Sequence, residues 1–302
     1  MRGRSVGDEW KHWSAAAHGA DSLPLGAGPL RMAPAWGAQL AVWVINNVEF
    51  FPLDEKVPGG TAEPPDVLAY SMRDYGARVG FWRIFDALEE HAVPTTVALN
   101  TEVHDVYPEV VGAMVEAGHE LMGHCSTNNR RLSEMTADEE LATIASATRR
   151  IQDATGAAPR GWLGAGLQER WTTLEQLDAH GYTYVGDWVN DDRPNSIQGT
   201  HLTALPYSAE INDKTALDIW KMSTDDFVAM ARRQFDVLFR EGADEPRVFA
   251  LALHPYLLGV PHRIDALRSL LETLRSREGV WWGTGSEIAG CYERSTGGAA
   301  PT

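Results

Sequence analysis

Three side chains suited to proton transfer stand at the ends of apolar runs in this sequence: Glu49, His124 and His254. His254 lies within Leu-His-Pro-Tyr-Leu-Leu-Gly at 253–259, directly after the apolar run Val248–Leu253. That run reads as a buried strand stopped by a turn, so the imidazole projects into whatever lies above the sheet. Glu49 sits between Val48 and Phe50, where a carboxylate needs a partner or a proton, and perturbed carboxylates mark functional sites. His119 and His124 are five residues apart on a strand of period two, so they face opposite ways; His119 is read as structural and His124 as the one at the mouth.

Other polar residues follow the same strand ends. Asn46 and Asn47 precede Glu49, and one of the two reads as a strand terminator bonded to backbone. Cys125 follows His124 directly; neighbours on an extended segment point apart, so it reads as a packed thiol. Arg160 suits either an ion pair between loops or a substrate contact. Trp162 and Trp188 read first as packing, although two indoles at one rim could form a stacking wall. Asn190 and Asp191 follow the fifth strand and Tyr256 the seventh. Asp191 and Asp192 suit solvated loop charges equally well.

These residues need elements to hold them. Short apolar runs at Leu40–Ile45, Thr95–Leu99, His119–Gly123, Gly161–Leu163, Thr183–Gly186, Leu202–Pro206, Val248–Leu253 and Val280–Trp282 read as strands. Amphipathic stretches separate them. Tyr75, Val79, Trp82, Phe85 and Leu88 fall on one helical stripe. Pro108 opens a helix closed by Gly118, and Thr136 with Glu139 forms a capping box for a helix ended by Gly156. Phe227, Met230, Phe235 and Leu238 form another apolar face stopped by Gly242, and Pro261 opens a last helix over 263–277. Alternating strands and helices demand parallel strands with helices outside. Eight short strands favour an α/β barrel over an open sheet, and no dinucleotide fingerprint follows the first strand. In such barrels the reactive groups sit at the carboxyl ends of the strands.

Composition narrows the partners. With 26 basic against 42 acidic residues the net charge is −16, which argues against nucleic acid or an anionic membrane and otherwise speaks only to solubility. Cys125 and Cys291 fit no metal or redox spacing. No run is long enough to span a bilayer, and residues 1–13 lack a secretory pattern, so the cytoplasm is expected. Residues 1–38 read as an N-terminal arm, 39–294 as a single catalytic barrel, and 295–302 as a polar tail.

Several segments together resemble the polysaccharide deacetylase superfamily, in the branch of allantoinases of that type and cyclic imide hydrolases. They are Asn-Val-Glu-Phe-Phe at 47–51, Arg-Asp-Tyr-Gly-Ala-Arg-Val-Gly-Phe-Trp-Arg at 73–83, Gly-His-Glu-Leu-Met-Gly-His at 118–124, Pro-Arg-Gly-Trp-Leu-Gly at 159–164, Asp-Trp-Val-Asn-Asp-Asp-Arg-Pro at 187–194, Pro-Tyr-Ser-Ala-Glu-Ile-Asn-Asp at 206–213 and the His254 motif. The resemblance implies a distorted (β/α) barrel of seven or eight parallel strands and cleavage of a non-peptide carbon–nitrogen bond. Metal-using members hold the ion with an aspartate and a His-x-x-x-His pair; here Asn128 stands four residues after His124. The resemblance therefore leaves open a divalent metal such as zinc on Glu49 and His124, or a site without metal. Without metal, Glu49 is the expected general base, its basicity raised by its apolar wall. By resemblance His254 protonates the leaving nitrogen. Trp162, Trp188 and Tyr256 would bound a flat substrate, with Asn47, Arg160, Asn190 and Asp191 as polar contacts. The substrate class is a small cyclic amide, imide or ureide, with an N-acetyl sugar or a silent small-ligand binder as the alternatives. Relatives imply a homo-oligomer, a dimer or tetramer.

Overall fold

The computed structural model describes residues 37–60 and 62–296. The expected arm therefore lies outside the described residues up to residue 36, as do 297–302 of the tail. Among the described residues nine strands form one sheet: β1 Leu40–Val48, β2 Thr95–Leu99, β3 Glu120–Gly123, β4 Gly161–Trp162, β5 Tyr184–Val185, β6 Asn195–Ser196, β7 Thr203–Ala204, β8 Arg247–Leu253 and β9 Val280–Trp282. The order is β6-β7-β5-β4-β3-β2-β1-β8, with β9 paired to the start of β1. Every pairing is parallel except β6 with β7.

The sheet curls into a distorted (β/α) barrel. Its ring is completed beside β8 without a named strand: Val248 N–H donates to Asp192 O at 2.9 Å and Ala252 N–H to Ile211 O at 3.0 Å. Asn212 bridges Ala252 in parallel register. All eight strands read from the sequence are present. The ninth, β6, has two residues and no periodicity to announce it.

Residue parity along the strands sorts the core into two layers. Leu40, Val42 and Val44 of β1, with Phe249, Leu251 and Leu253 of β8, pack outward against helices through Phe227, Leu267 and Leu271. Ala41, Trp43 and Ile45, with Val248, Ala250 and Ala252, point inward and meet Ala98, Met122 and Tyr184. Side chains alternate with period two, so counting on along each inward set reaches Asn47 and Glu49, His254, and His124. The three expected reactive residues thus continue the inner face of three strands. His119 falls outside, its Nε2 3.0 Å from Glu89 Oε1 and its ring 5.4 Å from that of Phe85.

The helices follow local chemistry. They are α1 Val67–Tyr75, α2 Phe81–Glu90, α3 Val103–Val106, α4 Pro108–Glu116, α5 Ala137–Thr155, α6 Thr173–Ala179, α7 Thr224–Glu241, α8 Ile264–Arg275 and α9 Gly285–Thr296. Pro108 sits in the first turn of α4. Thr136 and Glu139 cap α5 reciprocally, and Gly156 ends it at φ 80°. Between α1 and α2 the backbone makes a π turn over Gly76–Gly80. That turn breaks the expected stripe. Val79 is exposed and Tyr75, Trp82 and Phe85 only half-buried, while Phe81, Ile84, Ala87 and Leu88 form the buried face. The helix α9 is also unforeseen; it carries Ser295 and Thr296, expected in the tail. Its start covers the amino end of the barrel, where Glu120 accepts from Tyr184 OH at 2.9 Å and Ser286 N–H at 3.1 Å.

Candidate functional site

At the carboxyl end of the strands lies a cavity of about 640 Å³ that holds Asn47, Glu49, His124, Asn128, His254 and Tyr256. Glu49 is its centre, with 4% of its side chain exposed. Oε1 accepts from Asn128 Nδ2 at 2.8 Å and Oε2 from Tyr256 OH at 3.3 Å. The same Oε1 lies 3.5 Å from His254 Nε2 and 3.6 Å from His124 Nε2. One carboxylate oxygen therefore faces both imidazoles.

Each imidazole is oriented from behind. His254 Nδ1 lies 2.6 Å from Asp213 Oδ1, and the His254 backbone N–H donates to Asp213 Oδ2 at 2.8 Å. His124 Nδ1 lies 2.6 Å from the Leu163 carbonyl. A carbonyl only accepts, so Nδ1 carries the hydrogen and Nε2 is the atom turned to the cavity. That Nε2 is buried and, among the described residues, has no hydrogen-bond partner. Asn100 locks the two loops together: its Oδ1 accepts from Phe50 N–H at 2.9 Å and its amide donates to the His124 carbonyl. Asn47 donates to Leu253 O at 3.1 Å and to Tyr207 OH at 3.3 Å, tying β1 to β8 and to the wall after β7.

The loop after β8 is seated on the π turn. A Cβ on Gly76 would stand 2.7 Å from the Tyr256 Cβ, and one on Gly80 would overlap the Pro255 carbonyl. Both positions require glycine because backbone approaches backbone. Arg83 adds a bond from Nη1 to Gly259 O at 2.9 Å.

Electrostatics divides the charges. Burial alone would raise the Glu49 carboxyl, but the His254 charge and the polar contacts of both imidazoles hold it well below the usual carboxylate range. The expected rise in basicity is thus reversed, because the apolar wall is outweighed by two imidazoles. Burial opposes charge on His254 as well, yet Glu49 and Asp213 lift its pKa from 6.5 to about 9. Burial raises Asp213 and the His254 charge works against that rise. Burial also pushes the Cys125 thiol up to about 12, which agrees with a packed, inert thiol.

Five expected substrate contacts do not line the cavity. Arg160 is exposed and precedes β4, at the amino end of the strand and so at the wrong rim. Trp162 is fully buried against Tyr182, ring centroids 5.6 Å apart. Trp188 donates Nε1 to Glu169 Oε1 at 3.2 Å and packs on an outer cluster. Asn190 is exposed, and Asp191 accepts from Arg193 N–H at 3.0 Å. Asn47 and Tyr256 do line it. Asp213, Tyr207, Asn100 and Arg73 were not singled out. Asp213 closes the quoted segment 206–213, and only a pairing across the barrel reveals its partner.

The residues do not fit a resident divalent metal. Among the described residues no group of three His, Cys, Asp or Glu side chains has the geometry to hold one. Asn128 turns its amide nitrogen to Glu49. His254 near neutrality carries a proton instead of a free lone pair. Glu49 and His124 remain, one ligand short of the three that catalytic zinc takes.

The sequence model of the family described as polysaccharide deacetylase matches residues 61–185. A Schizosaccharomyces pombe protein provisionally named a polysaccharide deacetylase is 33% identical over 243 residues, 72% of this chain and 74% of that protein. The peptidoglycan deacetylase of Helicobacter pylori is 25% identical over 265 residues, 76% of this chain and 88% of its own length. The crystal structure of PuuE allantoinase is similar with a TM-score of 0.81 and 26% identity, covering 92% of this chain and 99% of that one.

Proposed function

The chain belongs to the polysaccharide deacetylase family of hydrolases acting on non-peptide carbon–nitrogen bonds, and from that premise we propose that it opens a small cyclic amide, imide or ureide. The observation that carries this reading is the single buried carboxylate oxygen shared by two imidazoles of different character, inside a cavity of small-molecule size. The likeness to PuuE allantoinase over nearly the full length of both chains supports the ring substrate.

The chemistry runs on this chain's own groups. A water within reach of Glu49 Oε1 and His124 Nε2 is oriented by the carboxylate and attacks the ring carbonyl carbon. Its proton passes to His124 Nε2, and the adjacent Glu49 charge stabilises the imidazolium formed. A carboxylate held so far below its ordinary pKa is a poor proton acceptor, so Glu49 orients and stabilises while His124 accepts. Tyr256, kept protonated by burial, turns its one hydroxyl hydrogen from Glu49 Oε2 to the oxyanion as it forms. His254, cationic through Asp213, gives its Nε2 proton to the ring nitrogen as the carbon–nitrogen bond breaks. The carboxylic acid so formed returns a proton to His254 and His124 releases its own to solvent, leaving an open chain with a new carboxylate.

A second reading, removal of an acetyl group from an amino sugar, is favoured by the names of the two curated relatives. A substrate panel separates the two: hydantoin, succinimide, glutarimide, allantoin and chitooligomers, each followed by direct product detection. Ring opening with intact chitooligomers is the expected result. Acetate release from the sugars with every ring untouched would overturn the proposal.

A further inference from the structure

Besides the two imidazoles, the cavity around Glu49 carries four cationic side chains, Arg73, Arg131, Lys214 and Lys221, against two carboxylates, Glu49 and Asp218. The whole chain has the opposite balance, 26 basic to 42 acidic. A cationic lining in an acidic protein concentrates anions at one place on its surface. The two lysines are already engaged, since both grip Asp218.

Arg73 is held differently. It sits near the end of α1, half-buried, and donates Nη1 to the Ala69 carbonyl at 2.9 Å. Its guanidinium lies 4.8 Å from the centre of the Phe51 ring and 5.5 Å from that of Tyr256. Its Nε is buried without a hydrogen-bond partner, and among the described residues it pairs with no carboxylate. Native structures seldom leave such a donor unmet. Two aromatic rings fix the plane of the guanidinium, and a planar fork so fixed matches a carboxylate. The place is also informative. Tyr256 stacks near Arg73 with its ring and donates to Glu49 with its hydroxyl, so the guanidinium stands one tyrosine ring from the reaction centre.

We propose that Arg73 binds a carboxylate borne by the substrate, so that the enzyme selects anionic ring amides, imides or ureides over their neutral parents. This inference rests on the ring-hydrolase reading and names the substrate class within it. A ring whose carbonyl meets Glu49 and His124 would turn an acidic substituent past Tyr256 toward the fork. A charge-assisted, two-point contact of this kind shifts selectivity by about 10- to 100-fold.

The test compares hydantoin, hydantoin-5-acetate and 5-aminomethylhydantoin as substrates of the wild-type protein, then of Arg73→Gln and Arg73→Lys. Wild type should favour the acetate over the neutral ring by about 10-fold or more and the amine least. Arg73→Gln should lose that preference chiefly through KM, and Arg73→Lys should recover part of it. Calorimetry with succinate as the probe reads the subsite without turnover: wild type should bind it more tightly than Arg73→Gln. Turnover of all three rings at similar kcat/KM, with succinate binding that ignores Arg73, would overturn the inference and leave the ring reading standing. Arg73-dependent succinate binding with no ring opened would retain the anion subsite and remove the ring reading. The wild-type comparison keeps the inference falsifiable even where Arg73→Gln fails to fold.

Discussion

Replacing Asp213 by asparagine should move the alkaline limb of the pH–rate profile toward neutrality. Asp213 is fully buried and meets two donors of one residue, His254 Nδ1 at 2.6 Å and His254 N–H at 2.8 Å. Asparagine keeps the shape but offers one oxygen and one NH2, so one donor must face another donor. The lost charge-assisted bond is worth roughly 1.5–3 kcal/mol, or about one to two pH units at 1.36 kcal/mol per unit. His254 would then titrate at roughly 7–8, instead of at about 9. Because the protonated form is the proton donor, kcat/KM for ring opening should begin its alkaline fall one to two units earlier. At pH 9 the protonated fraction drops from about half to a tenth or less. The assay is kcat/KM from pH 6 to 10 for both proteins, with the His254 ring titrated by NMR as a readout independent of turnover. An alkaline limb that stays in place, or one that moves to higher pH, would refute the reasoning.

Two further outcomes follow from the same geometry. The folded-state pKa of His254 is raised, so its pairing stabilises fully below the unfolded value of 6.5 and is lost as pH rises through about 9; the full effect is on the order of 3 kcal/mol. Urea unfolding of wild type and His254→Gln should show a stability gap at pH 6 that narrows by pH 10, and a gap that widens would contradict the ion-pair account. Gly80→Ala would drive a Cβ into the Pro255 carbonyl, costing about 1–3 kcal/mol and displacing Tyr256. The comparison variant Gly112→Ala, on α4 with open space around its Cβ, should leave thermal stability equal or higher; equal losses in both would remove the close contact from the explanation.

Much of the scaffold was legible because period-two alternation survives in single strands. The inward sets of β1, β3 and β8 could be counted forward to Glu49, His124 and His254 without knowing any pairing. What failed was long-range. Arg160 precedes and Trp162 ends one two-residue strand whose two ends differ in role, and sequence alone placed both at the mouth. The pairing of Asp213 with His254 spans 41 residues, and the bridging by Asn100 depends on two loops being neighbours. Neither leaves a periodic trace. The charge state of Glu49 was misjudged for the same reason: an apolar local sequence raises a carboxylate, whereas imidazoles delivered from two distant strands lower it. The π turn at Gly76–Gly80 shifted a helical face that simple 3.6-residue counting had drawn through Val79.

The account stands on Glu49 and His124 acting as one unit on a single water. Steady-state kcat/KM for ring opening by Glu49→Gln, His124→Gln and the double variant measures that coupling directly. If the two groups share the step, the double variant will be about as slow as the slower single one. Losses that multiply, each residue costing the same with or without the other, would contradict it.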